Sequence, residues 1–324
     1  MNIGEIAKMA GVSSAAVSRY FNHGYISQEK KEAIRKVVEE TGYRPSLHAQ
    51  TLRTKKTRMI GVIVPKIASA SIGKVIEGIL SVLNNSEYQC LMAVTQNSSQ
   101  KELEYLETFS ERRVDGVILV ATVLTREHKK VLKESKIPVV LVGQQLSGQF
   151  CVYHDDYHAS YELASAVFQK GKKNLGYISA ILEDKAVGAG RYRGFCDAVR
   201  DAGYDSLTKQ YVISDFTLEG GYRKAGQLLE RYPDLDGILC ATDTMALGVI
   251  RYLKEQGGDA LSRILVGGHG DSEMAKTAAA PLMTVHYFYE KSGELAVKMM
   301  LDILEGKDPA VKEMKLGFSL VDQE

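Results

Sequence analysis

The run MIGVIVP, residues 59–65, is continuous, apolar and rich in β-branched side chains. A strand with one wet face alternates apolar and polar residues, whereas a run without a polar member fits a strand covered on both sides, as in a parallel sheet between helix layers. A helix-period stretch follows, with Ile72, Val75, Ile76, Ile79, Leu80 and Leu83 on one face. The alternation then repeats, with CLMAV before KELEYLETFSERR, DGVILVA before REHKKVLKES, and PVVLVG ahead of CVYHDD. After His158 a second series opens: a helix to Gly171, LGYISAI, a helix through GFCDAVRDAG, QYVIS, GGYRKAGQLLERY, DGILCAT, MALGVIRYLKEQG, RILVGG, LMTVH and a helix to about Glu305. Two βαβ series of similar length predict an α/β body of two doubly wound, parallel-sheet subdomains. Ligands of such sheets sit beyond the carboxyl ends of the strands, so two facing subdomains predict a cleft between them.

Before Met59 the pattern changes to short helices without a strand. Asn2 is placed to cap a helix with Ile3, Ile6, Ala7 and Ala10 on one face. Gly11 permits a tight turn, Ser13 is a second N-cap, and Val17 with Tyr20 or Phe21 forms the buried edge of the second helix. A third helix, capped by Ser27, buries Ile34, Val37 and Val38 and stops at Gly42. Two short helices around a Gly turn, braced by a third, predict a helix-turn-helix head. In that geometry the leading end of the second helix enters the major groove of DNA, so Ser14, Ala15 and Ser18 face outward and need not be large or apolar. Ser hydroxyls donate to phosphates, and Ala touches a thymine methyl.

With 324 residues, the chain is long enough for two or three cores. Its net charge of +1 hides an asymmetry: Met1–Thr57 carries ten Lys/Arg against five Asp/Glu, and the remainder carries an excess of acid. A small basic head on a mildly acidic body fits a polyanion partner. No apolar run reaches the ~18 residues of a membrane span, and Glu5 and Lys8 interrupt any signal-peptide core, so a cytoplasmic, non-exported protein is expected. Cys90, Cys151, Cys196 and Cys240 lie far apart without C-x-x-C spacing, as free thiols do in a reducing compartment.

NIGEIAKMAGVSSAAVSRYFN resembles the DNA-binding head of the LacI/GalR family of bacterial repressors. GYRPSLHAQTLRTKKTRMIGVIVP resembles that family's third-helix end, hinge and first body strand, and VDGVIL, IPVVLVG, RYRGF and ATDTMALG follow in the family's order. The resemblance implies a helix-turn-helix domain over 1–45, a hinge helix over 46–57 and an effector-binding and dimerisation body over 58–324 of periplasmic-binding-protein type. Within the body it implies one subdomain of about 58–157 and 288–313 and another of about 158–287 and 314–324. It also implies a homodimer on a pseudo-palindromic operator, with a small effector in the cleft setting the spacing of the two heads. Ser14 and Ala15 match the family's base-reading positions, Arg19 a base or phosphate contact, and Asn22 a backbone contact. The family commonly has Thr where this chain has Ala16, so a hydroxyl contact is expected to be missing. Leu52 matches a wedge leucine that inserts into the minor groove, with Arg53 following it. A helix so short is marginal in water and should form only when paired on DNA.

For the cleft, Arg191 in GAGRYRGF matches the arginine that holds effector hydroxyls, a task suited to a planar guanidinium. Gly188, Gly190 and Gly194 are spaced G-x-G-x-x-x-G and follow no strand directly, which excludes a dinucleotide fingerprint and leaves a loop into the Arg191 helix. The side chains of YHDDYH do not converge on a metal, and Asp156 reads as a helix cap; no metal and no cofactor are expected. The resemblance places Ser69, Ser71, Gln144, Tyr153, Phe216, Thr242, Asp243 and Tyr289 in the effector pocket. Where the family often has an effector-gripping Asp this chain has Gly270, leaving His269 or Asp271 as substitutes. VYHDDY, CATDTMALG and PLMTVHYFYEKSG are most similar to the family's repressors of trehalose and sucrose use, whose effectors are disaccharides or their phosphates.

These features imply a sugar-responsive, DNA-binding repressor that is not an enzyme and has no membrane partner. A corepressed regulator of the same family is the first alternative. A sugar-binding protein without DNA function would show a signal peptide and no basic head, and an enzyme would show a nucleophile elbow, a phosphate loop or paired carboxylates.

Overall fold

A computed structural model describes residues 1–22, 24–43, 56–111, 114–278, 280–309 and 311–322. The chain divides into two compact units, Met1–Thr57 and Arg58–Glu324. Among the described residues no helix is long and apolar enough to cross a membrane.

The head contains α1 (Ile3–Met9), α2 (Ser14–Phe21) and α3 (Gln28–Thr41). Asn2 caps α1 in a reciprocal capping box with Glu5, and the Ser13 hydroxyl accepts from the Ala16 amide at the start of α2. Ser27 occupies the N-cap position of α3 without making the expected side-chain bond, and Gly42 ends that helix at φ 62°, in the left-handed region that favours glycine. Ile6, Ala7, Ala16, Val17, Ile34 and Val37 form the core, while Val38 is only half-buried at its edge.

The body contains two sheets, each of six strands. The first is built from β1 (Met59–Val64), β2 (Gln89–Val94), β3 (Gly116–Val120), β4 (Val139–Val142) and β5 (Phe150–His154), joined through α4 (Ala70–Leu83), α5 (Ser99–Glu111) and α6 (Arg126–Glu134). α7 (Asp156–Gln169) then leads into the second sheet, with β6 (Leu175–Ser179), α8 (Arg191–Asp201), β7 (Tyr211–Ile213), α9 (Leu218–Arg231), β8 (Gly237–Cys240), α10 (Asp243–Gln256), β9 (Leu265–His269) and β10 (Leu282–Tyr287). The chain returns through α11 (Tyr289–Leu304) to β11 (Glu313–Leu316), and ends on β12 (Phe318–Asp322). The strand orders are β11-β5-β4-β3-β1-β2 and β12-β10-β9-β8-β6-β7, all neighbours being parallel except β10 and β12.

The subdomain boundaries differ from the expected ones by a few residues. Asp156 already begins the helix of the second subdomain, and β11 pairs wholly with β5 of the first, so the last crossing comes at Gly317 rather than at 313–314. The crossings are short, a single residue separating β5 from α7 at Asp155 and β11 from β12 at Gly317, so hydrophobic patterning alone does not fix them. Asp155 ties the crossings together: its amide donates to the Leu316 carbonyl at 3.0 Å, and its carboxylate accepts from Lys315 Nζ at 2.8 Å.

Packing fixes two glycines where α4 and α11 meet. A Cβ on Gly78 would fall 1.9 Å from the Glu290 carbonyl oxygen, and one on Gly293 would fall 2.2 Å from that of Val75. Backbone cannot swing aside as a flexible side chain does, so the helices touch only because both positions lack a side chain. Gly78→Ala is expected to lower the unfolding free energy by about 1–3 kcal/mol through overpacking, read from urea denaturation; an unchanged midpoint would contradict so close an approach.

Candidate functional site

In the head, Ser14, Ala15, Arg19 and Asn22 are exposed and Ser18 half-exposed, on one helical face of α2. The Asn22 amide donates to the Ser18 carbonyl, finishing the helix. Ala16 is a core residue, only 5% exposed, so a missing outward hydroxyl does not describe this position. Leu52 and Arg53, with most of the hinge, lie outside the described residues.

The body encloses a cavity of about 170 Å³ between its subdomains, at the carboxyl ends of the strands. Ser69, Ser71, Gln144, Arg191, Phe216, Thr242, Asp243, His269 and Tyr289 line it. At its centre Arg191, the first residue of α8, is 3% exposed. Its Nε donates to Asp156 Oδ1 at 2.7 Å, its Nη1 to the Ala241 carbonyl at 2.6 Å, and its guanidinium lies 4.7 Å from the ring centroid of Tyr287. Asp156, the first residue of α7, is therefore the counter-ion of Arg191; the helix cap is Asp155, whose side chain accepts from the His158 amide. Residues 185–190 form a π-helical turn rather than a loop, running straight into α8, and a Cβ on Gly188 would fall 1.9 Å from the Ile181 carbonyl oxygen.

Two expected pocket residues stay outside the lining. Tyr153 packs with the core beneath the first sheet, alongside Cys151, and its strand neighbour His154 takes the cavity position. Successive strand residues face opposite sides, so a one-residue difference in alignment exchanges the two. Asp271, at φ 46°, turns its carboxylate to His286 Nδ1 at 2.9 Å. Gly270 lines the cavity at φ 141°, a conformation side-chain-bearing residues rarely adopt, and a Cβ there would lie 3.2 Å from Asp243 Oδ2.

The polar wall is braced by bonds within the chain. Asp243 Oδ1 accepts from Thr284 Oγ1 at 2.5 Å, and its Oδ2 accepts from the Ser272 amide at 2.8 Å. Thr242 caps α10 through the Met245 amide. Lys66, Asn97, Thr122, His154, Asp184 and Ser272 also line the cavity, beyond the residues that the resemblance named. Asp184 caps the turn before Arg191, its Oδ1 accepting from the amides of Ala186 and Val187. Gln144, following β4, donates to the same oxygen at 2.7 Å across the cleft. An Asp ahead of a Gly-containing turn was its only signal in the sequence. His269 shares a 3.1 Å hydrogen bond with the Tyr287 hydroxyl, and burial together with the Arg191 charge holds its pKa well below the ordinary value, so the ring is neutral. Burial likewise lowers the pKa of His154, whose ring packs edge-on to those of Tyr287 and Tyr289. Among the described residues no group of three or more His, Cys, Asp or Glu is placed to hold a metal ion. Cys151, Cys196 and Cys240 are buried free thiols and Cys90 is half-buried.

Burial raises the pKa of Asp184 above the ordinary value, with the Gln144 bond opposing the shift. Between the ordinary and the raised value the folded chain binds more protons than the unfolded one. This group's contribution to stability therefore grows as pH falls through the raised value, and levels off below the ordinary one. Asp184→Asn should flatten that part of the pH dependence, above the ordinary carboxylate range, read by urea unfolding of both proteins. A variant that makes the dependence steeper would contradict the burial.

The model for bacterial regulatory proteins of the lacI family matches residues 2–46, and that for periplasmic binding proteins and the sugar binding domain of the LacI family matches residues 57–270. The chain is 32% identical over 304 residues to the sucrose operon repressor of Staphylococcus xylosus, covering 94% of each. Its fold is similar to that of a lac repressor dimer bound to operator and the anti-inducer ONPF, with TM-score 0.89 at 19% identity, covering 100% of this chain and 98% of that one. It is also similar in fold to a transcriptional regulator CelR–cellobiose complex, with TM-score 0.75 at 23% identity over 100% of this chain and 99% of the other. The chain belongs to the LacI family of DNA-binding bacterial regulatory proteins, with the helix-turn-helix head and the periplasmic-binding-protein-like body of that family.

Proposed function

We propose that this chain is a homodimeric, cytoplasmic repressor of sugar-utilisation genes, released from a pseudo-palindromic operator when a sugar or sugar phosphate occupies the cleft. The observation that carries the reading is the cavity around Arg191, where buried hydrogen-bonding groups converge beside the aromatic faces of Phe216 and Tyr289. Polar groups of this kind meet hydroxyls while aromatic faces cover a sugar ring's apolar side. The likeness to a sucrose operon repressor and to a regulator solved with cellobiose supports the ligand class.

At the DNA, the exposed face of α2 supplies the contacts: Ser14 and Ala15 to base edges, Ser18, Arg19 and Asn22 to bases and backbone. Ser and Ala offer only weak direct readout, so Arg19 and the hinge, with Leu52 as minor-groove wedge and Arg53 beside it, carry much of the specificity. Two heads bound one helical turn apart, or a multiple of it, match the two halves of the operator. In this reading the chain performs no catalytic step.

The test is fluorescence anisotropy of the full protein on labelled DNA from upstream of its gene neighbours, with trehalose, sucrose and their 6-phosphates added in turn. Release by one of them is expected. Tightening would convert the reading to corepression, and absence of specific binding at low salt would contradict it. Arg19→Ala should weaken operator binding at least about tenfold, a loss of ~1.4 kcal/mol, while leaving ligand affinity of the body unchanged. Equal operator affinity in the two proteins would remove Arg19 from the interface.

A further inference from the structure

The two walls of the cleft are joined by a hydrogen bond between buried side chains. Gln144 Nε2, in the first subdomain, donates to Asp184 Oδ1, in the second, at 2.7 Å. The two residues are 4% and 3% exposed, and both line the cavity.

Each end of this bond is anchored in its own subdomain. On the first side, the Gly143 amide donates to the Val152 carbonyl at 2.9 Å, and Gln145 Nε2 to Glu313 Oε2 at 2.8 Å. The neighbours of Gln144 are thereby tied to β5 and β11. On the second side, Asp184 Oδ1 also accepts from the Ala186 and Val187 amides at 3.1 and 2.9 Å, and the Asp184 carbonyl accepts from the Ala189 amide at 2.8 Å. The same turn is packed at Gly188 against the Ile181 carbonyl, and it runs directly into Arg191. A hydrogen bond weakens steeply as its distance and angle depart from their optimum. With both ends held, this one forms at a single relative placement of the two subdomains.

The other contact between the walls gauges placement less sharply. Lys66 stands over the Phe216 ring, 5.4 Å from the centroid, and a ring face attracts a cation over a range of positions. The bond to a buried carboxylate is charge-assisted and directional, and a carboxylate that loses a donor there is left with a desolvation cost. Because Gln144 and Asp184 both line the cavity, a ligand in the cleft competes for the groups that make the bond.

We infer that Gln144 and Asp184 form a latch that holds the two subdomains in the operator-binding arrangement, and that occupation of the cleft releases it. The inference rests on the repressor reading and adds a role that is exercised without ligand. The bond sets the fraction of the protein that stands ready for the operator, and that fraction scales the observed affinity for DNA. A residue that only touches ligand leaves the ligand-free affinity where it is.

The experiment compares the full chain with Gln144→Glu and with the double variant Gln144→Glu/Asp184→Asn, all without ligand. Gln144→Glu sets two carboxylates against each other, and the measurement is made at about pH 8, where a proton shared between them is least retained. The double variant provides a donor and an acceptor again, with their positions exchanged. Circular dichroism and thermal unfolding establish that each variant is folded. One readout is affinity for operator and for unrelated DNA by fluorescence anisotropy; the other, independent of DNA, is hydrogen exchange over residues 143–145 and 184–190. Gln144→Glu is expected to weaken operator binding about tenfold or more, to leave binding to unrelated DNA unchanged, and to speed exchange on both walls. The double variant is expected to recover most of both losses. Operator affinity that is unchanged or raised in Gln144→Glu, exchange that changes on one wall only, or a loss that the double variant deepens would overturn the latch and leave the repressor reading standing. Absence of specific operator binding by the unmodified chain would overturn both.

Discussion

The body is organised around one buried guanidinium. Arg191 is desolvated, and a charge taken out of water is tolerated only where geometry and hydrogen bonding answer it fully. Asp156 at the start of α7, the Ala241 carbonyl after β8 and the ring of Tyr287 on β10 supply that answer. Three elements of the second subdomain are thus held in fixed positions by one side chain. Its charge also acts on the surroundings, since together with burial it helps to keep His269 neutral.

The other walls follow from where the strands end. Parallel strands deliver their carboxyl ends, and the helix starts that follow them, to one side of each sheet. Ser69, Thr242 and Asp243 all stand at such strand-to-helix junctions, and Asp156 and Arg191 begin helices as well. Gln144 and Asp184 join the two subdomains by a buried hydrogen bond, and Lys66 meets Phe216 from the opposite wall. The cleft is braced from both sides, which suits a ligand that reads the relative position of the subdomains.

Much of the scaffold was legible because it rests on local chemistry. Strand runs such as MIGVIV, the caps Asn2 and Ser13 and the left-handed Gly42 depend on neighbours within a few residues. What local chemistry leaves open is parity and partnership. Whether Tyr153 or His154 enters the cavity is decided by the register of β5, and either assignment keeps the strand apolar enough. Whether Asp155 or Asp156 caps α7 turns on Arg191, which is 35 residues away in sequence from Asp156. The resemblance marks Ala16 only as a position without the family's Thr hydroxyl, whereas helical geometry places it with Val17 in the head core. Lys66 and Asp184 stand outside the periodic elements, where hydrophobic patterning is silent, and only the fold shows that they share a cavity.

A regulator of this kind needs its two sites to be coupled, and coupling of about 1–3 kcal/mol gives a switch of roughly 5- to 150-fold. Linkage requires that coupling to be reciprocal: a ligand that loosens the operator must itself be loosened by the operator, by the same factor. The most direct test is the affinity of the cleft ligand measured on the full protein, free and saturated with operator DNA. The account predicts a dissociation constant raised by operator as many fold as the ligand raises that of the DNA. An identical ligand affinity in both states would contradict it, because the cleft would then be a binding site without a connection to the head.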